Sequence, residues 1–127
     1  MTNNQNGFTL IEFLVAILIL MVGMLGLLQS INVAMDKNLE NLFRNEAIMV
    51  ADEQMMQLRS RSFQSISTTA STVTVVPRNI RGIQKNYSAQ RIVTDPTTQS
   101  KQIQINVTWR KKNTPYSHSL SSVVTTF

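Results

Sequence analysis

Residues 7–28 read Gly7-Phe8-Thr9-Leu10-Ile11-Glu12 and then run without interruption to Leu28, GFTLIEFLVAILILMVGMLGLL in one-letter form. Between Phe8 and Leu28 only Thr9 and Glu12 are polar, and residues 13–28 form an unbroken stretch of 16 without a polar side chain. At about 1.5 Å per residue, the 21 residues 8–28 make a helix of roughly 31 Å, the depth of a bilayer's hydrocarbon core. A water-filled protein of this size does not easily cover a helix that is apolar all round, so a membrane span is the first expectation. A cleaved secretory signal fits less well, because the leading MTNNQNG lacks Lys and Arg and no small-x-small site follows the apolar run.

Glu12 interrupts this pattern. An ionised carboxylate among apolar residues costs several kcal/mol unless paired, so it calls for a partner. One reading is local: Thr9 caps the helix and Glu12, three residues on, reaches back to a free backbone N–H in a capping box. The other is functional: Glu12 awaits a positive charge that the neighbouring sequence does not supply. Cleavage after Gly7 would create one, the new amino group of Phe8, on this chain or on a second copy. Spacing alone leaves both readings open.

Outside this stretch the chain is more polar, so the near-zero mean hydropathy of −0.04 averages two unlike parts. The 127 residues amount to one domain's worth of chain. With no cysteine, disulfide scaffolds, thiolate zinc sites and a cysteine nucleophile are excluded. His118, the single histidine, excludes a multi-histidine metal site, and no motif surrounds it, so it is expected on a strand surface. No nucleophile, base and orienter converge by motif, and no glycine loop could cradle phosphate. Neither enzyme activity nor a metal or cofactor is therefore expected. The net charge of +5 is uneven, with ten Lys/Arg after Glu53 against the single acid Asp95. Such a balance suits a solvated basic surface, or anionic partners such as lipid head groups or nucleic acid.

Beyond Leu28 the helical pattern persists. Ile31, Met35, Leu39, Leu42 or Phe43, Ala47, Val50 or Ala51, Met55 and Leu58 recur at three- and four-residue steps, a single apolar stripe. One helix from about residue 9 to about residue 60 follows, near 78 Å by the helical rise. Its second half needs a sheet to cover the stripe, and its methionines read as core packing. Gly23 and Gly26 could permit close helix approach or local melting. A Ser/Thr-rich stretch over 60–74 breaks the helix. Period-two alternation then predicts strands at 72–76, ended by Pro77, and at 87–94, closed by Asp95-Pro96-Thr97. A third strand is predicted at 101–110 and, after a turn over Lys111 to Pro115, a Ser/Thr-rich fourth at 116–126 near an edge. The expected architecture is α+β: a long N-terminal helix, its first half transmembrane, packed on a small C-terminal antiparallel sheet with its other face wet.

The Gly7-Phe8-Thr9-Leu10-Ile11-Glu12 motif joined to an apolar helix resembles the processing and methylation site of type IV pilins and type II secretion pseudopilins. The resemblance implies removal of a short leader by a prepilin peptidase at Gly7-Phe8, methylation of Phe8, and packing of neighbouring subunits guided by Glu12. Residues 12–30, AIMVADEQMMQL over 47–58, Asn86-Tyr87, Thr94-Asp95 and KQIQINVTW over 101–109 are similar to PilV-type minor pilins. Gln29 stands where major pilins often carry proline, so no proline kink is expected.

The resemblance divides the chain into a leader at 1–7, a membrane or filament-core helix at 8–28, an amphipathic half of the same helix at 29–60, and a β-sheet region at 61–127. With Lys37 and Arg44 after the span and no basic residue before it, the positive-inside rule alone places the C-terminal side in the cytoplasm. The resemblance implies the reverse: Gly7 near the cytoplasmic face, residues 29–127 periplasmic, and a cell-surface pilus after assembly. Its implied partners are other pilin and minor pilin subunits, prepilin peptidase, the inner-membrane assembly machinery and membrane lipid.

The leading expectation is a minor pilin that initiates or modifies a type IV pilus, with cell adhesion among the roles such filaments serve. A type II secretion pseudopilin shares every N-terminal feature. A reading from another class is nucleic-acid binding: Arg110, Lys111 and Lys112 at a hairpin tip, beside Trp109 and Tyr116, would meet phosphates and bases of incoming DNA. A plain membrane anchor that never assembles is a further alternative and predicts an intact N-terminus.

Overall fold

The computed structural model describes residues 7–69 and 71–126. It contains one helix, α1 (Leu10–Arg59), a short 3-10 turn (Phe63–Ser65), and four strands: β1 (Thr72–Ile80), β2 (Ile83–Thr97), β3 (Ser100–Lys111) and β4 (Thr114–Thr125). The chain divides into two units, Met1–Leu39 and Glu40–Phe127. The leader expected at 1–7 lies outside the described residues except for Gly7.

In the first unit, α1 begins after Thr9 and runs through Gly23 and Gly26 without a break, so neither glycine melts the helix. None of its described residues is buried, and Leu18, Leu20, Leu25 and Leu27 point outward as freely as Phe13 or Val22. This stretch is long and apolar enough to cross a membrane.

The second unit packs the rest of α1 on an antiparallel meander of order β1-β2-β3-β4. From α1, Phe43, Ala47, Val50, Ala51, Met55 and Leu58 are buried, the stripe that the three- and four-residue spacing predicts from residue 43 onward. Ile31 and Met35, earlier in that stripe, are exposed. Of the helix methionines only Met55 packs in the core; Met49 and Met56 face outward. On the sheet, Tyr87, Ala89, Val93, Ile103, Ile105, Val107 and Trp109 alternate inward. The opposite face of β3 is polar and uncharged from Gln102 to Thr108, with Arg110 at its end. There Gln104 Nε2 donates to Asn106 Oδ1 (3.3 Å) and Ser119 Oγ (3.2 Å), and Ser119 Oγ donates to Asn106 Oδ1 (2.7 Å).

Three strand boundaries differ from expectation. β1 does not stop at Pro77 but continues to Ile80, because it is an edge strand in which half of the N–H groups need no partner. β2 does not close at Asp95-Pro96-Thr97; these residues stay in the strand across a register shift between Thr94 and Thr97, and the reversal falls at Thr98-Gln99. The β3–β4 reversal is tighter than the expected five-residue turn. Lys112 (φ 49°) and Asn113 (φ 63°) form a two-residue loop with both φ positive, the geometry that matches strand twist. Arg81 (φ 51°) and Gly82 (φ 84°) do the same between β1 and β2, a hairpin the sequence reading left unassigned. There Asn79 Oδ1 accepts the Gly82 N–H at 2.9 Å. β4 is an edge strand, as its Ser/Thr content suggested. His118 lies on a strand as expected but is only partly exposed, opposite Val107 on the helix side of β4, because its even position shares the phase of Tyr116 and Leu120.

Candidate functional site

Gly7, Phe8 and Thr9 precede the first helical residue, and all three are exposed. Phe8 retains 86% of its accessible surface, and a side chain at Gly7 would meet nothing within 4 Å. The Gly7–Phe8 peptide bond thus lies before the helix, between two exposed residues.

One helical turn on, the reciprocal cap is formed. The Thr9 backbone N–H donates to Glu12 Oε2 and the Glu12 N–H donates to Thr9 Oγ1, each at 3.3 Å. Two of the orphan donors of the helix start are satisfied this way, and the carboxylate lies at the end where the helix dipole favours negative charge. The capping box therefore holds Glu12 in place whatever further role it has. A shallow groove along this face is lined by Ile11, Glu12, Val15, Ala16 and Ile19, so the carboxylate is the one ionic group in an aliphatic surface.

The four residues considered for nucleic acid do not form one surface. Trp109 is 3% exposed, tilted against Tyr87 (centroids 5.8 Å apart) and stacked on Tyr116 (5.9 Å). A base cannot stack on a ring held in the core, so its expected role in contacting DNA is corrected to core packing. Lys111 is 6% exposed, its Nζ 4.0 Å from Glu40 Oε2, because its odd position turns it toward the helix. Arg110 and Lys112 are exposed.

Sequence reasoning missed what the meander does with the other cations. Arg78 lies on the helix-facing side of β1 with Nε 3.5 Å from Glu46 Oε1, and it also binds the Glu53 carboxylate. Lys85 Nζ sits 4.8 Å above the Phe43 ring. Lys101 Nζ donates to the Phe63 and Ile66 carbonyls at 2.8 and 2.7 Å, tying the segment after the helix to β3. The basic count was visible, but its division between helix-facing ion pairs and exposed turns depends on strand phase and register.

Among the described residues no group of three or more His, Asp or Glu is placed to hold a metal ion. Residues 2–28 match the family model for the prokaryotic N-terminal methylation motif. The match covers about a fifth of the chain and takes in Gly7, Phe8, Glu12 and the whole apolar run. The N-terminal segment is in this respect type IV pilin-like. No curated protein and no solved structure matches the chain.

Proposed function

We propose that this chain is a minor pilin of a type IV pilus. In this reading the leader at 1–7 is removed by prepilin peptidase, the new amino group of Phe8 is methylated, and residues 8–28 hold the protein in the inner membrane. Residues 29–127 are then periplasmic until the subunit enters a filament at the cell surface. The observation that carries the reading is the methylation-motif match continuing directly into an apolar helical stretch that is exposed throughout as far as Leu28. The exposed Gly7–Phe8 bond at its start supports processing there. Other pilins, the peptidase and the membrane assembly machinery are the partners that follow.

Within that reading Glu12 acts electrostatically. Its Oε2 accepts from the Thr9 N–H, and the carboxylate as a whole stays exposed in an aliphatic groove. The amino group of a neighbouring subunit's Phe8 is the cation suited to it, because an ion pair strengthens where water is excluded. The aliphatic remainder of the groove packs helix on helix and carries no directional information. The charge pair sets the register.

The N-terminal mass of the protein, purified from a host that has the peptidase, tests the reading. A mature chain beginning with methylated Phe8 is expected, and a chain still beginning at Met1 overturns it in favour of a simple anchor. Incorporation of Glu12→Ala into sheared filaments, scored by immunoblot, is expected to fall at least tenfold, about the effect of 1.4 kcal/mol. Unchanged incorporation would remove the register role from Glu12. Recovery of the wild-type chain with secretion pseudopili and not with pili would reassign it to the type II system.

A further inference from the structure

We propose that the end of the sheet bearing the Arg81-Gly82 and Lys112-Asn113 turns rests on an anionic lipid surface, the membrane that holds the N-terminal segment. The inference depends on reading residues 8–28 as a membrane span. It adds a second, electrostatic contact made by the Glu40–Phe127 unit.

The meander places both turns at the same end of the sheet, with the Thr98-Gln99 turn and the segment after α1 at the other. Contacts with α1 orient those two ends. Lys111 meets Glu40, and Tyr87 and Lys85 meet Phe43, all near the point where the helix enters this unit. Lys101 instead meets Phe63 and Ile66, beyond the helix C-terminus. The two-turn end is therefore the end from which the chain leads back to the apolar run. Only residues 29–39 separate Leu28 from this unit, so a membrane surface is held within short reach at high effective concentration.

The cations of the strands and their turns are unevenly placed along the same axis. Residues 78–86 and 108–116 contain Arg78, Arg81, Lys85, Arg110, Lys111 and Lys112, half of the chain's 12 Lys/Arg, and no Asp or Glu. Arg81, Arg110 and Lys112 are exposed, and Arg78 and Lys111 hold carboxylates of α1. Backbone conformation gives an independent sign. Arg81 and Lys112 occupy left-handed φ values of 51° and 49°, where glycine or asparagine would be at ease. Long cations are thus kept at the turn tips despite a local conformational cost. Guanidinium and ammonium groups at such tips suit the phosphates of anionic headgroups. Nucleic acid is the less suited polyanion, because Trp109 is buried and the partly buried Tyr116 is already stacked on it.

The test uses the full chain in vesicles of phosphatidylcholine alone or mixed with phosphatidylglycerol. The absence of cysteine lets a single fluorophore be placed at Thr114→Cys, beside the second turn. A quencher on the lipid headgroups reads proximity. A second preparation labelled at Leu20→Cys, with a quencher on the acyl chains, reads insertion of the span. Headgroup quenching of the Thr114→Cys label is expected to be at least twofold stronger in the anionic vesicles. It should fall to the zwitterionic level at about 1 M salt, where the Debye length is near 3 Å, and in the Arg81→Gln/Arg110→Gln variant. Equal quenching in both vesicles, or quenching indifferent to salt and to the substitutions, overturns the lipid contact while a quenched Leu20→Cys label leaves the span intact. An unquenched Leu20→Cys label overturns the span reading and the inference with it. Binding of an oligonucleotide at this end without response to anionic vesicles assigns the cations to nucleic acid instead and likewise overturns the proposal.

Discussion

Tyr87 has no exposed surface, and its hydroxyl donates to the Phe43 carbonyl at 2.9 Å. Burial pushes this phenol up from 10.0 to about 12, with the Glu46 carboxylate adding to the rise and Arg78 opposing it. A raised phenol pKa means that the folded chain keeps its proton while the unfolded chain loses it. The contribution to stability is thus fully present below pH 10 and is lost as pH rises toward 12. The stability of the wild type relative to Tyr87→Phe should fall by about 1 kcal/mol between pH 9 and pH 11, read by unfolding in detergent micelles. At neutral pH the same substitution should cost about 1 kcal/mol for the lost hydrogen bond. A difference between the two proteins that stays constant with pH would show that Tyr87 ionises as freely folded as unfolded. Glu12 differs in kind: its cap was legible from Thr9 three residues before it, since both partners lie on one turn. That Tyr87 would meet Phe43 was not legible, because 44 positions separate them.

At the scale of elements, α1 in the second unit is a matter of small residues in the right phase. Ala47, Val50 and Ala51 have no exposed surface, so the helix lies close against the sheet where these short side chains face it. Ala51→Leu should destabilise the unit by about 1–3 kcal/mol through overpacking. Met56→Leu, five residues on and outward, should change stability by less than about 0.5 kcal/mol. Thermal unfolding of the two variants side by side checks the phase of the stripe, and equal shifts would contradict it. The strands show the limit of alternation as a signal. β3 was read nearly to its ends because Ile103, Ile105, Val107 and Trp109 alternate with polar residues. β1 and β2 were cut short at Pro77 and Pro96, since proline forbids a ladder bond only where the N–H would face a neighbour.

For the molecule as a whole, two contrasting surfaces follow from one chain: an apolar helix surface in the first unit, and a sheet in the second whose charges gather toward one end. An arginine in the middle of the apolar run tests the first directly. Leu20→Arg should lower insertion by about 2.5–3.5 kcal/mol, seen as protein released from membranes by alkaline extraction while the wild type stays bound. Retention of the variant would mean that residues 8–28 do not lie in hydrocarbon.

The N-terminal helix, its cap, the methylation motif and the α+β class were determined by the sequence itself. Each rests on local periodicity or on neighbours within one turn, and such signals need no knowledge of distant contacts. The tertiary structure alone decided that Trp109 and Lys111 turn inward while Arg110 and Lys112 do not. It also decided that His118 is half-buried and that two hairpins separated by about 30 residues bring their cations to the same end. Those outcomes depend on strand register and on which face the helix covers. Register is fixed by pairing between strands and by the burial of a shared core, properties that no single segment of the chain contains.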